Sequence, residues 1–248
     1  MPRNRPYVMV FAGLDPSGGA GLLADIKTIE CSKAYGFGVA TALTIQDDKK
    51  CYNVEWLPID KILAQAEPLI KKFKPLVIKT GIINGSEMLG AIISFCKKNV
   101  PDCRVIVDPV LSASSGYDFV KESTTFKSQL PSCELITPNW TEVKTISGND
   151  NAIVGAKELS KSCAVLLKGG HNESEKGCDY LVRSEKAVAM KPGKGKYFDK
   201  HGSGCVLASA IAANLAKGFD LHRACLRGRS YIQQYLSSDV SLLGIHSK

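Results

Sequence analysis

The sequence predicts an α/β fold with a mainly parallel sheet and helices on both of its faces. The first observation behind this prediction is that short apolar runs rich in β-branched residues alternate with segments of helical spacing over most of the 248 residues. The second is an ordinary globular composition, with 44% hydrophobic and 23% charged residues. The third is that no linker is long enough to divide the chain, so we expect residues 1–248 to form one domain.

The strands and helices of the alternating part are predicted from their length and periodicity. Short apolar runs bounded by turn residues are typical of buried strands, and we predict strands at 7–12, 38–45, 76–79, 104–107, 133–137 and 163–167. The segments between them carry apolar residues at helical spacing. Helices are predicted at 20–34, 59–73, 86–98, 122–129 and 152–162.

The pattern changes after residue 167. Two apolar runs at 178–183 and 186–190, separated only by Ser184 and Glu185, predict a C-terminal β-hairpin. Two helices, at about 204–216 and 221–236, are predicted to close the chain.

A formal net charge of +8 raises the question of an anionic partner, either nucleic acid or a phosphorylated small molecule, and charge alone does not decide between them. The sequence has no RRM signature and no basic stripe interleaved with aromatic residues, so we predict no nucleic-acid partner. We also predict no membrane partner, because charge-free stretches such as 201–216 are shorter than the roughly 20 apolar residues of a membrane span.

Nine cysteines are scattered along the chain, with no C-x-x-C pair and an odd total. This spacing favours reduced thiols and gives no support to a zinc site. The apolar run at 7–12 is too short for a secretory signal. We therefore expect a cytoplasmic protein.

The predicted first strand leads into a glycine-rich turn at 13–21. The turn is not a Walker A loop, because Gly18 is followed by Gly19 and Ala20 rather than by lysine and a hydroxyl residue. A dinucleotide fingerprint can be fitted to 19–24 only with a long gap after the strand. Either an ordinary turn or a close backbone approach to a ligand explains the glycines.

A second glycine-rich segment, Gly202-Ser203-Gly204-Cys205, directly precedes a long apolar helix. Free amides at a helix N-terminus can form an anion hole. Ser203 could instead be an ordinary N-cap. Cys205 in the first turn is expected to have a lowered thiol pKa, the alternative being a small buried apolar residue.

Polar residues follow three more of the predicted strands. Asp108, Asn139 and Glu142 carry oxygen ligands of the kind that hold hydrated magnesium beside phosphates. Asn139 and Glu142 also fit the N-cap and third position of a helix. Lys168 and the glycines after it could meet a polyphosphate.

Six segments, in order, resemble the ribokinase-like superfamily, and within it the vitamin kinases that phosphorylate hydroxymethylpyrimidine and phosphomethylpyrimidine for thiamine biosynthesis. They are AGLDPSGGAGLLADIKT at 12–28, TALTIQ at 41–46, DPVLSASSG at 108–116, LITPNWTE at 135–142, LLKGGH at 166–171 and HGSGC at 201–205. The resemblance implies a three-layer α/β/α fold, Mg²⁺ with ATP as phosphoryl donor, and a homodimer.

The resemblance also implies roles for individual residues. The acceptor pocket would be lined by Gly13, Ala20, Asp25, Thr44, Gln46 and Ile82, with Gln46 hydrogen-bonded to the aminopyrimidine. Asn139, Glu142 and Lys168 would face the magnesium and the ATP phosphates, and Asp108 would lie near the transferred group and, with Glu142, near the metal. The anion hole would be Gly202, Ser203, Gly204 and Cys205, with the Cys205 thiol able to accept the hydroxyl proton.

Related enzymes with a cysteine in the anion hole accept a hydroxymethylated pyridine, so a pyridoxine or pyridoxal kinase is the alternative. Gln46 and Ile82 are the positions expected to discriminate between the two acceptors.

Overall fold

The computed structural model describes residues 5–112, 119, 123–172 and 175–247. Its centre is a nine-stranded sheet in the order β3-β2-β1-β4-β5-β6-β7-β8-β9. The strands are β1 Tyr7–Leu14, β2 Tyr35–Gln46, β3 Cys51–Trp56, β4 Val77–Thr80, β5 Arg104–Val107, β6 Leu135–Ile136, β7 Ala164–Leu167, β8 Asp179–Arg183 and β9 Lys186–Met190.

Strands β2, β1, β4, β5, β6 and β7 pair in parallel, whereas β3, β8 and β9 are antiparallel to their neighbours. The mainly parallel sheet and the C-terminal hairpin predicted from the sequence are therefore confirmed. Because all six parallel strands run the same way, their carboxyl ends meet at one edge of the sheet.

In the described part of the chain, seven α-helices cover the sheet. They are α1 Gly21–Cys31, α2 Ile59–Phe73, α3 Gly85–Asn99, α4 Trp140–Ser147, α5 Ala152–Leu159, α6 Ser203–Ala216 and α7 Leu221–Ser237. Helices α2 to α5 pack their apolar faces on one side of the sheet, and α1, α6 and α7 pack on the other. The predicted three layers are confirmed.

Helix α6 is the innermost element of its layer. Every residue from 206 to 215 is buried, because the sheet lies beneath the helix and α1 and α7 cover its other sides. This accounts for its apolar sequence, and it fixes the helix N-terminus at the carboxyl edge of the sheet. No helix in the described part of the chain is both long and apolar enough to cross a membrane.

The structure differs from the predicted elements in several places: helix α4 was not predicted, and the bounds of α1, α5 and β2 differ from those expected. The strand β3 was not predicted, because its sequence Cys-Tyr-Asn-Val-Glu-Trp has no apolar run and mostly faces outward at the sheet edge. The helix predicted at 122–129 is a 3₁₀ helix over Ser123–Ser132, and residue 122 lies outside the described residues. Strand β6 is two residues long rather than five. Residues 113–116 of the motif at 108–116 also lie outside the described part.

Candidate active site

A cavity of about 300 Å³ opens across the carboxyl ends of the parallel strands. It extends from Gln46 at the end of β2, past Asp108 and Lys168 after β5 and β7, to Gln233 on α7. The site residues predicted from the sequence line it, with one exception; those that line it are Gly13, Ala20, Thr44, Gln46, Ile82, Asp108, Asn139, Glu142, Lys168, Gly202, Ser203, Gly204 and Cys205.

The exception is Asp25, and its placement in the acceptor pocket was wrong. Its side chain is fully buried on the inner face of α1, where Lys79 Nζ lies 2.7 Å away and Ser209 donates a hydrogen bond of 2.7 Å. Burial opposes the charge of Lys79, but Asp25, together with Cys205 and Asp108, outweighs burial and raises the pKa of that lysine. Asp25 therefore holds a buried ion pair behind the cavity.

Lys168 joins the polar groups at the middle of the cavity. Its Nζ donates to Asp108 Oδ1 at 2.8 Å and lies 3.7 Å from Glu142 Oε2. Thr137 donates to the same Asp108 oxygen at 3.0 Å. The other oxygen, Asp108 Oδ2, is buried and accepts no hydrogen bond from the part of the chain that the structure describes. It is left available for a ligand.

The charges of this cluster follow from its burial and its pairing. Burial disfavours the Asp108 carboxylate, but Lys168 and Lys79 outweigh burial and hold the pKa of Asp108 below its usual value. Burial, reinforced by nearby Asp108, raises the pKa of Glu142 although Lys168 opposes the shift. Burial also opposes the charge of Lys168, yet the two carboxyl groups raise its pKa. Lys168 and Asp108 are therefore both ionised at neutral pH.

Glu142 and Asn139 are fixed by the start of α4. Asn139 Oδ1 accepts from the Glu142 amide at 2.8 Å, and Glu142 Oε2 accepts from the Asn139 amide at 2.7 Å, which forms a capping box. The predicted N-cap pair is confirmed. The capping box holds the Glu142 carboxyl at the cavity wall, so Asn139 and Glu142 both cap the helix and line the site.

The N-terminus of α6 faces the cavity without a side-chain cap. The N-cap residue is Gly202, with φ +73°, so the alternative in which Ser203 is the N-cap is wrong. The first helical hydrogen bond runs from the Val206 amide to Gly202, which leaves the amides of the preceding first turn without intrahelical acceptors. A Cβ at Gly204 would lie 3.1 Å from Lys168 Nζ, so this turn and the lysine face the same point.

Cys205 lies in that first turn, but its thiol does not have the lowered pKa that the sequence predicted. Burial raises the pKa of Cys205 to about 12, and Asp25 and Asp108 add to the shift, while Lys79 opposes it. The helix N-terminus does not overcome these effects. The prediction of a thiolate was wrong because the raised pKa is set first by burial and then by carboxylates from distant parts of the sequence.

This pKa leads to a reactivity prediction for the protein without substrates. We expect the rate of Cys205 alkylation by iodoacetamide to rise about tenfold per pH unit up to at least pH 10, because the thiolate is the nucleophile and its fraction keeps increasing below a pKa of about 12. Peptide mass spectrometry after timed labelling would measure the rate at this cysteine alone. A rate that levels off near pH 7 would show a thiolate and contradict the expectation.

The acceptor end of the cavity is formed by β1, β2 and the loop after β4. Gln46 reaches it from the end of β2, and Thr44 is anchored there by a 2.9 Å hydrogen bond to the Leu14 carbonyl. Ile82 packs on Gly13, where a Cβ would lie 2.3 Å from the Ile82 Cδ1 atom. The pocket has an apolar wall with one amide side chain at its mouth, which suits a flat polar ring.

A sequence model described as phosphomethylpyrimidine kinase matches residues 15–247. The chain belongs to this family. It is 34% identical over 250 residues to the hydroxymethylpyrimidine/phosphomethylpyrimidine kinase of Saccharomyces cerevisiae, a match that covers 92% of this chain and 45% of the yeast protein. The chain thus spans about half the length of that relative.

Two solved structures have a fold similar to that of this chain. The phosphomethylpyrimidine kinase of Clostridium difficile is 30% identical with a TM-score of 0.77, and the match covers 93% of this chain and 99% of that one. An ADP complex of Bacillus subtilis pyridoxal kinase is 24% identical with a TM-score of 0.86, covering 98% and 97%. The second likeness shows that the fold is shared.

The end of the cavity opposite Gln46 was missed by sequence reasoning. Tyr197, Arg229 and Gln233 line it together with Asp179, which pairs with Arg229 at 2.8 Å and accepts from the Gly169 amide at 2.6 Å. Helix α7 carries no motif that marks these residues.

Proposed function

We propose that this chain transfers the γ-phosphoryl group of ATP to the hydroxymethyl group of 4-amino-5-hydroxymethyl-2-methylpyrimidine, and then to its monophosphate, with residues 1–248 acting as one kinase domain. The observation that carries the proposal is the single cavity that joins a ring-sized acceptor pocket to Lys168 and the uncapped N-terminus of α6. Membership in the phosphomethylpyrimidine kinase family supports the choice of acceptor.

The two substrates would enter from opposite ends of the cavity. The pyrimidine would lie against Gln46, Thr44 and Ile82, and the nucleotide would lie toward Tyr197 and Gln233. The phosphates would then reach the middle, where the Lys168 ammonium and the first-turn amides of α6 provide positive charge. This arrangement places the acceptor hydroxyl and the γ-phosphate next to each other.

The chemistry required of these residues is mainly positioning and charge neutralisation. The hydroxyl oxygen forms a bond to the γ-phosphorus while the bond to the bridging oxygen of ADP breaks, through a transition state that is loose in most analyses. The hydroxyl proton passes to an oxygen of the transferred phosphoryl group and from there to solvent. Lys168 and the α6 amides stabilise the charge on the phosphoryl oxygens. Cys205 keeps its proton near neutral pH, so we assign its thiol a place in the anion hole rather than the role of base.

The residues present fit a magnesium ion that arrives with ATP. The unpartnered Asp108 Oδ2 offers a hard anionic oxygen at the cavity, and the Glu142 carboxyl lies 3.7 Å from the Lys168 ammonium. No cluster of three or more metal-ligating side chains occurs among the described residues, which fits an ion that keeps water and phosphate oxygens as its other ligands. When bound, the ion would neutralise phosphate charge.

A coupled assay of ADP release tests the proposal. Mg-ATP is supplied with hydroxymethylpyrimidine, its monophosphate or pyridoxal in parallel reactions, and we expect turnover of both pyrimidines. Turnover of pyridoxal alone would reassign the chain to vitamin B6 salvage. No ADP release above the ATPase background with any acceptor would contradict the proposed acceptor class.

Gln46 provides a sharper test of the acceptor pocket. Gln46→Ala is expected to raise the acceptor KM by about two- to tenfold and to leave the KM for ATP unchanged, because one hydrogen bond of roughly 0.5–1.5 kcal/mol to the ring would be lost. Initial rates at varied pyrimidine and varied ATP measure both constants. Gln234→Ala, an exposed residue on α7 outside the cavity, is the matched control. An unchanged acceptor KM in the Gln46 variant would remove this residue from the pocket.

We also propose that the chain is a homodimer that associates through the β2–β3 edge of the sheet. Leu43 and Ile45 are 42% and 62% exposed on one face of β2, and Tyr52 is 56% exposed on β3. Light scattering is expected to give a dimer mass for the wild type and a monomer mass for Ile45→Lys. Val188→Lys, at the exposed opposite edge, is expected to stay dimeric; if it dissociates instead, the interface is the hairpin.

We place the protein in the cytoplasm. The free thiols of Cys96, Cys163 and Cys225 support a reducing compartment.

A further inference from the structure

The Asp15 carboxylate, in the glycine-rich turn after β1, accepts hydrogen bonds from within the turn and one from outside it. Its carboxylate accepts from the Ser17 amide at 2.8 Å, the Ser17 hydroxyl at 2.9 Å and the Ala20 amide at 2.8 Å. These three bonds shape the turn. A fourth group, His201 Nε2, lies 2.9 Å from Asp15 Oδ2 and comes from the far end of the chain.

The Asp15 carboxylate is ionised in this network. Burial opposes its charge, but the hydrogen bonds from His201, Ser17 and Ala20 outweigh burial and lower the pKa of Asp15 below its usual value. A carboxylate can only accept hydrogen bonds, so His201 Nε2 is the donor. The bond between them is therefore charge-assisted.

His201 is also fixed through its backbone. Its amide donates to the Leu242 carbonyl at 2.9 Å, and the neighbouring Lys200 ammonium binds the carbonyls of Asp239 and Ser241 in the same C-terminal segment. The imidazole lines the cavity and is only 13% exposed. Both the backbone and the imidazole of His201 are thus held in place, as expected of a residue that fixes the distance between two loops.

The bond joins the two loops that meet in the cavity. The Asp15 turn carries Gly13 and Ala20 of the acceptor pocket, and His201 directly precedes the Gly202 N-cap of α6. The two loops touch at their backbones as well, since a Cβ at Gly202 would lie 2.2 Å from the Gly19 carbonyl oxygen.

We propose that His201 is a positioning residue that, through Asp15, fixes the distance between the acceptor pocket and the anion hole at the N-terminus of α6. The proposal rests on the proposed phosphoryl transfer between these two places. Gln46 and Gln233, which we assign to acceptor and nucleotide binding, take no part in the hydrogen bond between His201 and Asp15. Its loss is therefore expected to lower kcat and leave both KM values nearly unchanged.

Three variants test the bond. His201→Asn places its amide near the position of Nδ1 and cannot reach Asp15, and we expect kcat to fall about 10²-fold, since a misplacement of about 1 Å can have this effect. His201→Gln places an amide donor near the position of Nε2, and kcat is expected to stay within about fivefold of wild type. Ser17→Ala is the matched control, because it removes a 2.9 Å bond to the same carboxylate but leaves His201 in place.

The kinetic outcomes separate a positioning role from a structural one. Equal losses in the asparagine and glutamine variants, a loss in Ser17→Ala as large as in His201→Asn, or a rise in KM without a change in kcat would each overturn the proposal. Thermal melting of each variant establishes that the protein is folded.

A second readout does not depend on the acceptor. Hydrogen exchange of peptides from 13–21 is expected to speed up in His201→Asn and not in His201→Gln, although the substitution lies about 180 residues away. Unchanged exchange in this turn would overturn the proposal even if no pyrimidine is phosphorylated. If the wild type turns over no acceptor but the exchange pattern appears, the proposed function fails and the bond between the loops stands.

Discussion

Replacing Lys168 with methionine is expected to lower kcat by about 10³-fold. Lys168 is the ammonium group at the centre of the cavity, 2.8 Å from Asp108 and next to the first turn of α6. Removing one preorganised donor from a site where charge develops lowers the rate by about 10²–10³-fold, and here a full positive charge is lost as well. Initial rates of ADP release at saturating Mg-ATP and hydroxymethylpyrimidine measure the effect.

The substitution also changes the charges that remain. Without the ammonium, the Asp108 carboxylate and the Glu142 carboxyl face each other in a buried site, and the pKa of Asp108 is expected to rise from its lowered value. The loss in rate therefore combines the missing donor with added negative charge or protonation where phosphates must bind. The two uncompensated carboxyl groups are also expected to lower the melting temperature of Lys168→Met. Lys168→Met/Glu142→Gln removes one of them and is expected to regain stability but not kcat.

Lys127→Met is the control for losing an ion-paired lysine. Lys127 lies 3.0 Å from Glu158, but its side chain is 41% exposed and it is not among the cavity residues. Exposed pairs contribute little, so kcat and stability are expected to stay near wild type. A Lys168→Met protein that melts like wild type and keeps kcat within about tenfold would rule out the central role of this lysine.

Much of the site was predictable because its residues follow strands. Parallel strands end at the same edge of the sheet, so Asp108 after β5 and Lys168 after β7 are brought together by the topology alone. The glycines before α6 likewise marked an uncapped helix N-terminus. The amphipathic spacing also predicted α2 with the bounds that the structure shows, Ile59–Phe73.

The parts that failed depend on contacts between distant segments. Asp25 was placed in the pocket, but its partner Lys79 is 54 residues away on β4, and only packing decides which face of α1 it occupies. The pKa of Cys205 is set by burial and by two carboxylates from other strands and helices. The bond between His201 and Asp15 spans 186 positions. No local pattern encodes these three features.

The second large effect is expected at Lys79. Lys79→Met should lower the free energy of unfolding by about 3–5 kcal/mol, because it leaves the Asp25 carboxylate buried without its cation. Both side chains are fully buried, so solvent does not screen the pair. Such a loss is a large part of the roughly 5–15 kcal/mol that stabilises a typical domain. Urea unfolding followed by circular dichroism measures it.

Removing both charges is expected to restore most of the stability that Lys79→Met loses. Burial raises the pKa of Asp25 above its usual value despite the lysine, so keeping this carboxyl ionised in the interior opposes folding. In Asp25→Leu/Lys79→Met neither charge of this pair remains, and Ser209 Oγ can turn to the helix carbonyl four residues earlier. The free energy of unfolding of the double variant is therefore expected to lie within about 1–2 kcal/mol of the wild-type value, because replacing a buried ion pair by apolar residues often has little effect on stability.

The same two variants separate the structural role of the pair from its electrostatic role at the cavity. Lys79 also lowers the pKa of Asp108 and opposes the raised pKa of Cys205. If that charge matters for phosphoryl transfer, the double variant will be stable but slower, with its loss in kcat rather than in KM. If the pair only fills the interior, the double variant will match wild type in both constants. A single variant as stable as the wild type would contradict the burial argument on which both expectations rest.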